Sequence, residues 1–181
     1  MTTAERERLD QLIWKMLDYY SGDAARIQHF TKVHTYVDWI SRGEKVEEAT
    51  QYLLAVLGLT HDVGIKASIE KNGHYNAKLQ EQEGPAVAKI MLSDLGFDSA
   101  LIERVCQIIG RHHTYTGIDG VDCQILIEAD FLVNFCEGHQ PLTAIPNVYK
   151  NIFRTETGKA ILRKMYNYPP RDDGYIAPMN M

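Results

Sequence analysis

The segment CQILIEADFLVNFCEG, residues 123–138, constrains the fold more than any other part of the sequence. It is apolar on nearly every face of a helix, and such a helix has to be surrounded by other elements. Most other segments also carry apolar residues at helical spacing, and strand-like alternation is rare. The sequence therefore predicts an all-α, single-domain helical bundle over residues 1–168, followed by an irregular tail at 169–181.

Capping and turn residues divide the bundle into its helices. Pro85 suits the first turn of one helix, and Asp98 or Ser99 suits the N-cap of the next. The stretch from 64 to 84 is polar and marked by glycine, which predicts an active-site loop and not a core element. A second turn-rich stretch covers residues 114–122. We expect substrate selectivity to reside in these two stretches.

Composition limits the classes of function. The net charge is −5, and Lys and Arg do not cluster, so a nucleic-acid partner is not expected. No stretch reaches the roughly 18 apolar residues of a membrane span, and the charged N-terminus lacks a signal segment. Cys106, Cys123 and Cys136 share no metal spacing and are predicted to be reduced core residues. Together these features predict a cytoplasmic protein.

Titratable residues interrupt two of the most apolar segments. His61 and Asp62 end the run LLAVLGLTHD, and Asp130 lies within the central helix. A buried, unpaired carboxylate costs several kcal/mol or becomes neutral. A divalent cation resolves the problem, because it attracts carboxylates and accepts neutral imidazole nitrogens. Adjacent helical residues point about 100° apart, so His61 and Asp62 converge only if the helix ends there.

A series of stretches between residues 26 and 137 resembles the HD-domain superfamily of metal-dependent phosphohydrolases. The family pattern is a His, then a His-Asp pair, then a distant Asp, on an α-helical core. The stretches that carry the resemblance are RIQHFTKV, LLAVLGLTHDVGIK, EGPAVAKIMLSDLGFD, IIGRHHTY and ILIEADFLVN. The resemblance implies a helical bundle of the phosphodiesterase-like type with a metal centre.

The resemblance implies His29, His61, Asp62 and Asp130 as metal ligands. The family usually has an Arg three residues before the first His and a Val four residues after it. His29 fits this spacing, whereas His34 does not. Helical phase does not separate the two histidines, so His34 stays an alternative. The cation is expected to be Mn, Fe, Ni, Co or Zn.

Some family members hold a second metal with additional histidines. His113 matches the later of these, and His112, which stands where the family has a tyrosine, is predicted to be a ligand or a phosphate contact. Glu83 replaces the histidine that precedes Gly-Pro in those relatives. A glutamate could still bind Fe or Mn, act as a general base, or simply lie at a helix terminus. One ion is therefore expected, and a second stays open.

Further polar residues are candidates for substrate contacts. Lys66 lies four residues after Asp62, where relatives place a lysine near phosphate, and an exposed loop lysine is the alternative. Arg111 is a second phosphate candidate, and His74 lies in the polar stretch. Asn134, one turn after the Asp of the central helix, could orient that carboxylate.

The preferred function is metal-dependent hydrolysis of a phosphoester or phosphoanhydride bond in a nucleotide or another small phosphorylated metabolite. Asp62 or Glu83 would align or deprotonate the attacking water, and Lys66 or Arg111 would offset charge on the phosphoryl oxygens. One alternative is a di-iron, oxygen-dependent enzyme of HD-like fold. Another is a non-catalytic module that binds or senses a nucleotide. The oligomeric state is not determined by the sequence, and a homodimer stays open.

Overall fold

The structure, a computed structural model, describes residues 1–169. These residues form helices and no strand, which confirms the all-α prediction. The helices are α1 (Thr3–Tyr19), α2 (Ala24–Gly43), α3 (Glu48–Thr60), α4 (Gly64–Asn72), α5 (Ala77–Asp94), α6 (Ser99–Ile109), α7 (Gly120–Cys136), α8 (Ile145–Asn151) and α9 (Glu156–Tyr166), with a 3-10 turn at Leu142–Ala144. Apart from residue 169, the predicted tail lies outside the described residues.

Helix α7 lies at the centre of the bundle, as its apolar faces require. It packs against α2, α3 and α9, and α2 packs along α3. Its side chains are buried almost throughout, Ile125 and Leu132 among them, which are fully inaccessible. Three carboxylates of this helix, Asp122, Glu128 and Asp130, are buried with them. The burial of α7 therefore forces these acids to find partners inside the fold.

The predicted active-site loop at 64–84 is wrong, because most of it is helical. Helix α4 starts at Gly64, and α5 starts at Ala77, where the Asn76 side chain accepts a hydrogen bond of 3.0 Å from the backbone N–H of Leu79. Pro85 consequently lies inside α5 and not in a first turn. The polar residues of this stretch cover the solvent faces of α4 and of the first turns of α5, two helices that pack against each other.

Two glycines allow α4 and α5 to cross closely. A Cβ atom added to Gly64 would lie 2.5 Å from the carbonyl oxygen of Gln80 and 2.7 Å from the backbone nitrogen of Gly84. Real side chains do not approach a backbone that closely, so only glycine fits at the start of α4. This contact fixes α5 beside the turn that carries His61 and Asp62.

Two observations depart from the expectations from composition: one segment has the length and apolar composition of a membrane span, and one of the three cysteines is not a core residue. By length and composition alone, the segment Glu48–Asn72 could cross a membrane, although 72% of its most apolar stretch is buried inside the fold. Such burial is typical of a core helix.

Cys136 is exposed, whereas Cys123 is buried and Cys106 is half-buried; all three are free thiols. Cys136 is the last residue of α7, where the helix leaves the core.

Candidate metal centre

Four side chains from three parts of the bundle meet at one point. His29 comes from α2, His61 and Asp62 from the turn between α3 and α4, and Asp130 from α7. The Nε2 atoms of His29 and His61 are 3.2 Å apart. The Nε2 atom of His29 lies 3.3 Å from a carboxylate oxygen of Asp62 and 3.3 Å from one of Asp130. The corresponding distances from His61 Nε2 are both 3.7 Å.

The end of α3 explains how two consecutive residues face the same point. The helix ends at Thr60, and the turn that follows places the Val63 N–H on the Thr60 carbonyl at 3.0 Å. The C-terminal end of α1 holds this turn from outside. The hydroxyl of Tyr20, the C-cap of α1, donates to the Asp62 carbonyl at 2.8 Å, and that of Tyr19 donates to the Val63 carbonyl at 3.2 Å. The tightened turn brings His61 and Asp62 to one side.

The buried carboxylates are ionised. Burial opposes their charge, but the imidazoles of His61, His112 and His29 hold the pKa of Asp62 well below its usual value. Burial also opposes the charge of Asp130, and hydrogen bonds from His29 and His61 keep its pKa low. In return, Asp130 and Asp62 raise the pKa of His29 to about 9 against the effect of burial. The point where these residues meet therefore strongly favours positive charge.

A second group of ligand-type residues adjoins the first. Asp62, His112 and His113 offer ligand atoms within 4.8 Å of one another. His112 Nε2 is buried and lies 3.4 Å from Asp62 Oδ1, without the alignment of a hydrogen bond. His113 Nε2 pairs with Gln80 Oε1 at 2.6 Å. Burial and the neighbouring His112 lower the pKa of His113 to about 4, so it is neutral at pH 7.

The donor set fits a divalent cation. His29, His61 and Asp130 offer one nitrogen or oxygen atom each within 4.8 Å of one another. Two ligands about 2.1 Å from a common ion and at adjacent positions are about 3.0 to 3.4 Å apart, close to the separations of 3.2 and 3.3 Å around His29. A buried Nε2 atom without a hydrogen bond on His112 is a further sign that the site takes a ligand.

The other histidine of α2 lies elsewhere. Nδ1 of His34 is 3.0 Å from the carbonyl oxygen of Ala55, and its ring packs against α3. Among the described residues, the Asn134 side chain forms no hydrogen bond with the Asp130 carboxylate. Its side-chain oxygen pairs with Nδ1 of His139 at 3.1 Å.

Several predicted catalytic and substrate residues have other partners. Glu83 forms an ion pair with Lys71. Lys66 donates to the carbonyl oxygen of Tyr19 at 2.9 Å, and its ammonium group lies over the ring of that residue. The side chains of Glu83 and Lys66 are therefore bound to partners outside the cluster.

The remaining two substrate candidates also bind backbone. Arg111 donates to the carbonyl oxygen of Gly117 at 2.6 Å and thereby braces the turn after α6. His74 is exposed, and its ring contacts the carbonyl oxygen of Asn72 at 3.0 Å. The structure therefore does not bring Lys66, Glu83, Arg111 and His74 together with the cluster.

Residues that the sequence analysis missed surround the cluster instead. Gln80 contacts His113, and Oε1 of Glu81 accepts from the backbone N–H of His113 at 3.0 Å. Glu137 contacts Nδ1 of His29 at 2.8 Å. The guanidinium of Arg26 lies 4.8 Å from the centre of the Tyr75 ring. Arg26 alone carried a signal, because it stands three residues before His29.

No family model matches the chain, and no curated protein matches it significantly. Its fold is similar to the crystal structure of a predicted HD superfamily hydrolase from an uncultured Thermotogales bacterium, with a TM-score of 0.60 and 25% identity over 90% of this chain and 85% of that chain. It is also similar to Bacillus subtilis YpgQ in complex with ADP, with a TM-score of 0.60 and 14% identity over 94% of this chain and 100% of that chain. The second likeness concerns the fold alone. The similarity in fold to a predicted HD superfamily hydrolase supports the resemblance that the order of the His, His-Asp and Asp residues indicates.

Proposed function

We propose that this protein is a metal-dependent phosphohydrolase that acts on a nucleotide or another small phosphorylated metabolite. The observation that carries the proposal is the convergence of His29, His61, Asp62 and Asp130 from three separate parts of the bundle. The likeness to a predicted HD superfamily hydrolase supports hydrolase chemistry at the level of the superfamily. A transition metal is the cofactor that this mixture of imidazoles and carboxylates favours.

The proposed chemistry assigns separate roles to the residues of the cluster. A bound divalent cation supplies polarisation of a phosphoryl oxygen and a lowered pKa of water. His29, His61 and Asp130 would hold it, together with one carboxylate oxygen of Asp62. Asp62 would orient the attacking water, since 14% of its side chain is exposed and its pKa is held low. Glu83 is unsuited to this role, because it is paired with Lys71.

Arg26 is better placed than Lys66 or Arg111 to receive substrate phosphate. Burial opposes its charge, yet its pKa is raised by Tyr75 and Asp62, so its guanidinium lies within electrostatic reach of the centre. It lines a cleft of about 420 Å³ that His29 and Glu137 also line, on the Nδ1 side of the His29 ring. A guanidinium in such a cleft binds phosphate oxygens by charge-assisted hydrogen bonds.

Two observations support a nucleotide as the substrate. Bacillus subtilis YpgQ, which shares this fold, was crystallised in complex with ADP. In this chain the Tyr115 ring packs 5.1 Å from that of Phe131, the residue after Asp130, and 37% of Tyr115 is exposed. An exposed aromatic ring beside the centre offers a surface on which a base can stack. We also propose that the protein acts in the cytoplasm, where nucleotides are abundant.

The test is a hydrolysis screen on the purified protein. The metal content is measured first, and release of phosphate or pyrophosphate from nucleotides and sugar phosphates is then followed with each candidate metal supplied. We expect that chelators remove the turnover and that added metal restores it. Asp62→Ala should abolish turnover, whereas Asp38→Asn, a change on the exposed face of α2, should leave it intact. Full turnover by Asp62→Ala would refute the proposal.

The group formed by Asp62, His112 and His113 keeps one alternative open, because it could hold a second ion. Two iron ions at these positions would permit oxygen-dependent cleavage instead of hydrolysis. Oxygen consumption coupled to substrate loss, without release of phosphate, would favour that reaction. Tight nucleotide binding without turnover on any substrate would favour a sensing module.

A further inference from the structure

We propose that Glu137 is a positioning residue of the metal centre, which fixes the ring of His29 so that its Nε2 atom faces the ligand cluster. The inference rests on the proposed metal centre. No feature of the sequence pattern singles out this glutamate, which follows the last residue of α7. Its role emerges from two contacts of its carboxylate and from the backbone turn that carries it.

The first contact sets the tautomer of His29. Glu137 Oε2 lies 2.8 Å from His29 Nδ1. A carboxylate only accepts hydrogen bonds, so Nδ1 carries the proton and donates. In the neutral ring, Nε2 then keeps its lone pair, and Nε2 is the atom that faces His61, Asp62 and Asp130. Carboxylates that hold metal-binding histidines in this manner raise the basicity of the ligand.

The second contact holds the glutamate itself. Glu137 Oε1 accepts from the ammonium of Lys32 at 3.1 Å. Lys32 lies three residues after His29 on α2, so both stand on one face of that helix. The side chain of Glu137 is only 15% exposed, which limits its alternatives. Both oxygens of the carboxylate are thus occupied by groups of α2.

The turn after α7 determines where Glu137 lies. The chain reverses after α7 through Gly138, whose φ of 76° is the left-handed conformation that favours glycine. The backbone N–H of His139 donates to the carbonyl oxygen of Asn134 at 3.0 Å, which closes the turn. The C-terminal end of the central helix is therefore built to present Glu137 to His29.

His29, Glu137 and His139 are also close enough to hold a cation of their own. Such an ion would need Nδ1 of His29 without its proton, while Nε2 of the same ring already serves the inner cluster. The position of Lys32 also opposes it, because an ammonium group occupies the other oxygen of Glu137 at 3.1 Å. The contacts favour Glu137 as a hydrogen-bond acceptor and not as a ligand.

The test measures metal affinity directly, by competition with a chromophoric chelator for Co²⁺ and Zn²⁺. Glu137→Gln keeps the shape of the side chain, but an amide cannot accept from both His29 and Lys32. We expect its metal binding to weaken by about 10- to 100-fold, with a change in the visible absorption bands of bound Co²⁺. Two control variants, His139→Ala and Asp38→Asn, are expected to bind like the unsubstituted protein.

Each outcome decides the inference. The inference is overturned if Glu137→Gln binds Co²⁺ with unchanged affinity and spectrum. It is also overturned if His139→Ala binds Co²⁺ as weakly as Glu137→Gln does, because that result indicates a metal site formed by His29, Glu137 and His139. If Glu137→Gln does not fold, Lys32→Gln decides: weaker binding supports the inference, and unchanged binding overturns it. A failure of the unsubstituted protein to bind any metal would overturn the proposed function as well.

Discussion

Two buried carboxylates of α7 give a matched pair for testing what the central helix contributes. Glu128 and Asp130 lie two residues apart, and both are buried. Asp130 faces the histidine cluster, whereas Oε1 of Glu128 accepts from the backbone N–H groups of Arg154 and Thr155 at 2.6 and 2.9 Å. We predict that Asp130→Asn removes most of the stabilisation by metal, and that Glu128→Gln lowers the free energy of unfolding without changing the stabilisation by metal.

The size of the effect follows from linkage. A cation that binds only the folded protein, supplied at about 100 times its Kd, stabilises the fold by about 2.7 kcal/mol. For a domain of this length, 1 kcal/mol shifts Tm by about 2–4 °C, so the expected rise is about 5–11 °C. Loss of a supporting residue costs about 10- to 100-fold in affinity, and loss of the ligand Asp130 should cost at least as much. If the loss is 100-fold, the same metal concentration gives about 0.4 kcal/mol, a rise of about 1–2 °C.

Glu128→Gln changes a different quantity. The substitution disturbs hydrogen bonds that join α7 to the N-terminus of α9, and it should lower the free energy of unfolding by about 1–3 kcal/mol. Its metal-induced rise in Tm should match that of the unsubstituted protein. The assay is thermal unfolding followed by circular dichroism, with and without Mn²⁺, Ni²⁺, Co²⁺ or Zn²⁺. An equal metal-induced rise in Asp130→Asn and the unsubstituted protein would refute the reasoning.

Three further predictions test the framework and the mouth of the site. Burial opposes the charge of Asp122, but Arg104 holds its pKa below the usual value. Asp122→Asn should therefore lower the free energy of unfolding by about 1.5–3 kcal/mol at pH 7. In chemical denaturation, the difference in stability between the variant and the unsubstituted protein should vanish as the pH falls below about 4. Gly64→Ala should cost about 1–3 kcal/mol by the same measurement, because its Cβ would meet the backbone of Gly84, and an unchanged unfolding midpoint would contradict the close crossing. Tyr115→Ala should raise KM for nucleotides and leave KM for small phosphate esters unchanged in steady-state assays, because only a base would stack on the ring; equal changes would count against stacking.

The sequence indicates which polar residues of the inner cluster need partners, because burial and polarity conflict there. His61, Asp62 and Asp130 interrupt segments that belong to the core, and such residues need partners. The structure brings all three to His29, the histidine favoured by its spacing. Residues that conflict with their own surroundings are visible in a sequence even when their partners are distant.

Residues whose role depends on helix phase were less predictable. We placed the start of a helix at Pro85, whereas α5 begins at Ala77. With eight more residues in the helix, Gln80 and Gly84 share the buried face, and Glu83 falls about 100° away from Gly84 toward Lys71. Because the helix start was misplaced, the sequence analysis selected Glu83, which pairs with Lys71, and missed Gln80, which contacts His113.

Long-range pairs of ordinary surface residues left no signal at all. Lys32 and Glu137 are 105 residues apart, and nothing in either segment indicates that they meet. The same holds for Arg26 and Tyr75, whose contact depends on how the turn after α4 lies against α2. Such pairs follow from the packing of the finished bundle, so they become visible only in the structure.

The central claim is that acids and imidazoles from α2, the α3–α4 turn and α7 hold one cation, at which phosphate chemistry takes place. Anomalous diffraction from crystals grown with Mn²⁺, collected on both sides of the metal absorption edge, tests this most directly. We predict a peak bonded to His29 Nε2, His61 Nε2 and carboxylate oxygens of Asp62 and Asp130. A Mn²⁺-loaded crystal with no peak between these side chains, or with its peak bonded to other residues, would contradict the account.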